Sequence, residues 1–235
     1  MKKLGLFVIG LLAVVGLIFL VLAAPENIGH SKYDPSKVIA LPEPRFDGGI
    51  SVEKALKERR SIRSFEEKAV ALEDISQLLW ASQGITDDKG HRTAPSAMAR
   101  YPLEIYLLAG NISGLPAGVY HYSPQGHNLT IIAEGNKIDE LFNTPIGQVD
   151  WRNDAPAIFV ITGVFERMNK IPGQDLSRFV YIEAGTAAEN LLLEVVSLGL
   201  ASTYTASFDA NKIRTLLELS QGEEPIGVLP VGWKA

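Results

Sequence analysis

The chain has 235 residues, 46% hydrophobic and 21% charged, with a formal net charge of −5, enough for one large domain with its own core. It contains no cysteine and four histidines, which excludes disulfides, a thiol nucleophile and a thiolate metal site; without a close-spaced histidine pair on a helix, zinc is disfavoured as well. Residues 1–24 carry only two charges, Lys2 and Lys3, so the body without them is at −7, the wrong sign for a nucleic-acid partner.

Leu4 to Ala24 is uncharged, and at about 1.5 Å per residue a helix of that length crosses a bilayer core of roughly 30 Å. Lys2 and Lys3 favour a cytoplasmic N-terminus and an external body. Two readings stand for residues 1–24, an uncleaved transmembrane anchor or a cleaved signal sequence. The length of the apolar run and the closeness of Pro25 to any cut favour the anchor. Residues 25–49, with Pro25, Pro35, Pro42 and Pro44 and no apolar period, read as a linker. The body is residues 50–235.

Ser51 is placed to cap a first, short helix toward Arg60, and Glu73-Asp74 open a second that stops near Gly84. Leu103 to Ala109 reads as a strand. Gly118–Tyr122 and Asn128–Ala133 read as a hairpin around Pro124 and Gly126. A short helix covers Asn136 to Phe142, and the unbroken apolar run Ala157–Gly163 has the length of a central strand covered on both faces. Arg178 to Leu198 is apolar over more than half its circumference, as a helix is in a core or across a subunit interface, and Gly199 ends it. Asp209 caps a last helix, and Ile226–Val231 closes the chain as a strand. The element order is that of an α+β domain.

The segment Arg59-Arg60-Ser61-Ile62-Arg63 lies between the first two helices. If it is extended, Arg59, Ser61 and Arg63 point one way, and paired N–H donors suit a phosphate. A solvated basic turn is the other reading of the same residues. P-loop, dinucleotide-binding, serine-esterase and H-E-x-x-H signatures are all absent; without cysteine or a zinc site, redox chemistry here would need a bound cofactor.

Taken in order, Arg59–Arg63, Pro95-Ser-Ala-Met-Ala-Arg-Tyr-Pro-Leu-Glu-Ile-Tyr106, Gly147-Gln148 before Ala155-Pro156, Glu183-Ala-Gly-Thr-Ala-Ala-Glu-Asn-Leu-Leu-Leu193, Phe208-Asp209 and Glu224–Gly232 resemble the nitroreductase superfamily of FMN proteins, and within it the SagB/ThcOx-type dehydrogenases. The resemblance runs from about Ile50 to Gly232. It implies a nitroreductase-like fold, an antiparallel-rich sheet flanked by helices, in an intertwined homodimer with FMN at the interface. It assigns Arg59, Ser61 and Arg63, with Arg60 beside them, to the phosphate and ribityl end of FMN. It places Pro95, Ser96 and Ala97 in a loop reaching the flavin from the partner subunit, and Gln148 near the flavin. Ala206 and Ser207 take the place of glycines whose N–H groups face the flavin N5 region. The implied partner is a small-molecule substrate, a nitro or quinone-like acceptor or a peptide-derived ring; no catalytic side chain is assigned. Three features depart from the pattern. Only Lys234 follows Gly232 where relatives carry a basic pair. Lys170 is followed by Ile171 where azoline oxidases carry Lys-Tyr. An N-terminal anchor would set the body outside the membrane, away from nicotinamide donors.

Overall fold

A computed structural model describes residues 37–142, 155–169 and 173–235. The expected anchor or signal sequence, residues 25–36 of the expected linker, Gln148 and the Lys170-Ile171 pair lie outside the described residues. Among the described residues no helix is long and apolar enough to cross a membrane.

The strands are β1 (Val38–Ala40), β2 (Val70–Ala71), β3 (Leu103–Ala109), β4 (Ile112–Ser113), β5 (Gly118–Ser123), β6 (Asn128–Glu134), β7 (Ala157–Val164), β8 (Ala201–Ser202) and β9 (Glu223–Gly232). The helices are α1 (Val52–Glu58), α2 (Leu72–Gln83), α3 (Ile138–Phe142), α4 (Ser177–Ser197) and α5 (Ala210–Leu216). Seven strands form one sheet in the order β1-β6-β5-β3-β7-β9-β8, with every ladder antiparallel. The two short strands β2 and β4 pair in parallel apart from it.

The sheet separates two apolar layers, and the alternation along its central strands makes both. Leu103, Ile105 and Leu107 of β3 and Phe159 and Ile161 of β7 face a layer built with Leu78 and Leu79 of α2 and Val180, Ala184, Ala187 and Leu191 of α4. Tyr106 and Leu108 of β3 and Ile158 and Val160 of β7 face the other, with Leu141 of α3 and Ile213 of α5. Because both sides of β7 are covered, its sequence shows no polar alternation. Each such large apolar side chain contributes roughly 1.5–3 kcal/mol on burial. In β9, Gly227 gives room to the Tyr204 ring: a Cβ there would meet that ring at 2.2 Å.

Helix α4 is buried along one side only. Tyr181 and Ile182 are more than half exposed, and so are Val52 and Leu56 of α1, which buries only Ala55. Residues 38–46, inside the stretch read as a linker, are fixed to the domain. β1 extends the sheet beside β6, the Pro42 carbonyl accepts from Ser76 Oγ, and Gln77 exchanges hydrogen bonds with the Arg45 backbone at 2.8 and 3.0 Å. Short polar contacts of this kind leave no periodic trace in sequence.

Candidate functional site

The arginine segment leaves the helix and runs beside Ser202. α1 ends at Arg59, whose ψ of 123° turns the chain out of the helix. Ser61 then forms a parallel bridge with Ser202, and the Ile62 N–H donates to the Ser202 carbonyl at 2.9 Å. Ile62 packs on the second apolar layer and Phe65 is buried in it. Ser61 and Arg63 are exposed and Arg59 is half-buried. Phe65 bridges Lys234, so the one basic residue beyond Gly232 runs alongside this segment.

The three guanidiniums differ. Arg60 Nη1 turns back onto the carbonyls of Lys57 and Arg59 at 2.9 and 2.7 Å, satisfying carbonyls that the end of α1 leaves open. Arg59 Nε is 3.5 Å from Glu189 of α4, with both side chains partly exposed, a loose pair of small net worth. Arg63 makes no hydrogen bond or ion pair among the described residues.

Ala206 and Ser207 lie along the same sheet edge. Ser202 pairs with Val231, and three residues on Thr205 bridges Val228 by hydrogen bonds of 3.0 and 2.9 Å. Both Ala206 and Ser207 are exposed. The Ser207 N–H is taken by Thr205 Oγ1 at 3.1 Å; among the described residues the Ala206 N–H has no partner. Thr203, between these contacts and only 1% exposed, has a hydroxyl with no hydrogen-bond partner.

The Pro95–Ala97 loop is held from α4. Glu183, 5% exposed, accepts the Ala97 N–H at 2.8 Å and a hydrogen bond from the Ser96 side chain. Burial raises the Glu183 carboxyl above its ordinary pKa, against the lowering effect of those two donors. Ser96 Oγ also accepts the Tyr101 N–H at 2.8 Å. Two groups expected to meet a flavin therefore have partners within the chain. Past Ala97 the backbone is left-handed at Met98, Ala99 and Tyr101, with φ of 56°, 51° and 46°, a conformation that costs non-glycine residues about 1–2 kcal/mol each. It is fixed from outside: Arg167 Nη1 donates to the Tyr101 carbonyl at 2.9 Å, Arg92 lies 4.4 Å from the centre of the Tyr101 ring, and Asn190 donates to the Thr93 carbonyl at 3.2 Å.

Helix α4 thus ties together both parts of the expected site, the loop through Glu183 and Asn190 and the arginine segment through Glu189. Sequence reasoning quoted Glu183 and Asn190 within the Glu183–Leu193 segment without giving them a role, and it missed Thr203. A carboxylate in an apolar helix was the one available signal, since such a group is rarely buried without a partner. Two clefts of about 320 and 340 Å³ lie elsewhere, between residues 45–55, Trp80 of α2 and the last turns of α4; none of the expected cofactor residues lines them.

This fold, with an arginine-bearing edge beside a helix-clamped loop, defines the class. The model of the nitroreductase family matches residues 56–233, and the chain belongs to that family. It is 35% identical over 185 residues to the nitroreductase-type protein MJ1384 of Methanocaldococcus jannaschii, covering 79% of this chain and 92% of that one. It is 28% identical over 214 residues to the trifolitoxin-processing protein TfxB of Rhizobium leguminosarum bv. trifolii, covering 84% of this chain but 56% of that protein. Among solved structures, a nitroreductase-type protein of Ralstonia eutropha superposes with a TM-score of 0.74 at 29% identity, covering 90% of this chain and 99% of that one. The Escherichia coli microcin synthetase complex McbBCD, solved with truncated pro-MccB17, shares the fold at a TM-score of 0.63 and 22% identity, over 89% of this chain and 82% of that one.

Proposed function

We propose that the chain is an FMN-dependent oxidoreductase that moves hydride to or from a small organic substrate, anchored in a membrane through residues 4–24, with its body outside the cytoplasm. The observation that carries this reading is the Arg59–Arg63 segment. Its backbone is fixed to Ser202, while Arg63 has no partner among the described residues and Arg59 is only loosely paired. Exposed guanidiniums flanking a hydroxyl suit a phosphate monoester, because each fork offers two donors to two oxygens.

When bound, the flavin supplies hydride transfer through N5. The chain's own residues bind and orient. Arg59, Ser61 and Arg63 hold the phosphate end, and the Ala206 N–H offers a donor along the same edge. The loop from Pro95, made rigid by Glu183, is the segment that would reach the flavin from the partner subunit. The exposed apolar side chains of Tyr181, Ile182, Val52 and Leu56 suit burial against a second copy in an intertwined homodimer. A peptide-derived ring joins nitro and quinone-like compounds as a substrate class, with one relative named a trifolitoxin-processing protein.

The test is the visible absorbance of the purified full chain, with mass spectrometry of what heat releases. A flavin spectrum and an FMN mass near one per subunit support the reading. A colourless protein that stays colourless with added FMN overturns it. The second reading, a flavin-binding module without turnover, draws on the Ser207 N–H being engaged by Thr205, which leaves one fewer backbone donor. Bound flavin that is reduced but never reoxidised by an acceptor would favour it.

A further inference from the structure

Two N-x-S/T sequons occur in the chain, Asn111-Ile112-Ser113 and Asn128-Leu129-Thr130, a pattern that accepts an N-linked glycan when it lies on an exterior surface segment. The fold treats them in opposite ways. Asn111 stands in the bend between β3 and β4. Its backbone is tied down: the Gly110 and Asn111 N–H groups donate to the Pro156 carbonyl at 2.9 and 3.0 Å, and the Asn111 carbonyl accepts the Val70 N–H at 3.2 Å. Ile112 packs into the first apolar layer and is only 7% exposed. Alternation then turns the side chains of Asn111 and Ser113 outward on one side, and both residues are exposed. Neither side chain makes a hydrogen bond or ion pair among the described residues. Asn111 also leaves β3 at the end opposite to the one the Pro95 loop enters. The seven residues of that strand, at about 3.3 Å each, set the two roughly 20 Å apart, so a bulky group on Asn111 leaves the loop clear.

Asn128 belongs to the sheet instead. It begins β6, paired with Ala40 of β1 on one side and Ser123 of β5 on the other, and is half-buried. Its carboxamide lies over the hairpin turn, where a Cβ on Gly126 would meet Asn128 Nδ2 at 2.1 Å. Thr130, which completes this sequon, is only 5% exposed. A glycan on the Asn128 nitrogen would have to displace the turn, and the hydroxyl two residues on is out of reach from solvent.

We infer that Asn111 carries an N-linked glycan and Asn128 does not, an inference that rests on the reading of the body as external. The co-reactant is a lipid-linked oligosaccharide phosphate or diphosphate, delivered by a transferase on the outer side of the membrane. Asn111 Nδ2 forms a bond to the anomeric carbon of the sugar, and the bond from that carbon to the phosphate oxygen breaks. Nδ2 gives up one proton to a base of the transferase, and the lipid phosphate leaves with the electron pair. Nothing is oxidised or reduced, so the modification is independent of any flavin chemistry in the same domain.

The experiment uses the full chain, purified in detergent from the membranes of the cells that make it naturally, and reads its intact mass. Protease added to intact and to opened cells reports on which side the body lies. The expected result is excess mass over the bare polypeptide, lost in Asn111→Gln and Ser113→Ala and kept in Ser113→Thr and Asn128→Gln. Residues 101–137 hold both asparagines and no Lys or Arg before Lys137, so fragmentation of that one tryptic peptide assigns the mass without any variant. An external body with bare Asn111 overturns the inference and leaves the external reading standing. Excess mass on Asn128 overturns it as well. A body cut only after the cells are opened, with Asn111 bare, defeats the external reading and the inference together. A glycan on Asn111 of a colourless protein defeats the flavin reading alone.

Discussion

Glu183 of α4 accepts the N–H of Ala97 at 2.8 Å across 86 residues of sequence. Through this contact the core helix determines the shape of a surface loop. The Glu183 side chain is buried, and the loop it holds is strained. Removing the acceptor therefore leaves the Ala97 N–H and the Ser96 O–H without the oxygen they share.

For that reason Glu183→Ala should destabilise the fold by about 1–3 kcal/mol and raise hydrogen exchange at the Ala97 and Tyr101 amides. Glu183→Gln keeps an oxygen acceptor and should restore most of the protection. Burial raises the folded-state pKa of Glu183, so folded protein holds this proton more tightly than unfolded protein does. The associated stability is present below the ordinary carboxyl pKa and is lost as pH rises through the folded value. In urea titrations from pH 4 to 7, wild type should therefore lose stability relative to Glu183→Gln as pH increases. A constant difference would contradict the assignment.

Replacing Arg59 and Arg63 together by Ala should release FMN without unfolding the domain, because Arg63 is exposed and Arg59 is only loosely paired with Glu189. The expected loss is roughly 10–100-fold in affinity per charge-assisted contact, read by flavin fluorescence on dilution. A double variant that keeps its flavin would remove the phosphate role from this segment.

Much of the frame around that segment was legible in the sequence. β3, the β5–β6 hairpin and β7 were readable because each alternates, or fails to alternate, over six or more residues. Ser51 and Asp209 announced their helices and do cap them, Ser51 Oγ accepting from the Lys54 N–H and Asp209 from Asn211 and Lys212. The two-residue strands β2, β4 and β8 were beyond reading, since two residues carry no period. The exposure of Val52 and Leu56 was not legible either: the same spacing marks a buried face in most helices. In the site, an extended course for Arg59–Arg63 was one of two readings the sequence left open, and the turning back of Arg60 onto the end of α1 depends on where that helix stops. The link between Glu183 and Ala97 joins distant segments and leaves no local pattern. Gln148 lies outside the described residues.

His127 locks residues 41–45 onto the domain and should make that lock sensitive to acid. Its Nδ1 is 3.0 Å from Tyr122 Oη and its Nε2 is 2.9 Å from the Pro42 carbonyl and 2.7 Å from Ser76 Oγ. Burial lowers its pKa from the ordinary 6.5, against the opposing effects of the Pro42 carbonyl and Glu43. A lowered folded-state pKa means that unfolded chain takes the proton first. Stability is therefore full above the ordinary value and is lost as pH falls through the folded one. Exchange of the Leu41 amide, which donates to the His127 carbonyl at 3.2 Å, should accelerate below about pH 6. His127→Asn tolerates the left-handed φ of 42° at this position and should remove the pH dependence. Acceleration that persists in the variant would point to another group.

Met98 offers the cleanest test of the strain in the loop. Its φ is 56° and its side chain is 53% exposed, so little packing is lost when it is removed. Glycine occupies this backbone region freely, which recovers about 1–2 kcal/mol of conformational strain, while the greater freedom of glycine in the unfolded chain takes back roughly 0.5–1 kcal/mol. The difference favours the variant: Met98→Gly should be more stable by up to about 1 kcal/mol, a rise of a few degrees in Tm for a domain of this size. Met98→Val should shift the other way, because a β-branched side chain is least tolerated at positive φ. If both substitutions lower Tm equally, the exposed methionine contributes contacts rather than strain, and the loop owes its shape to its anchors alone.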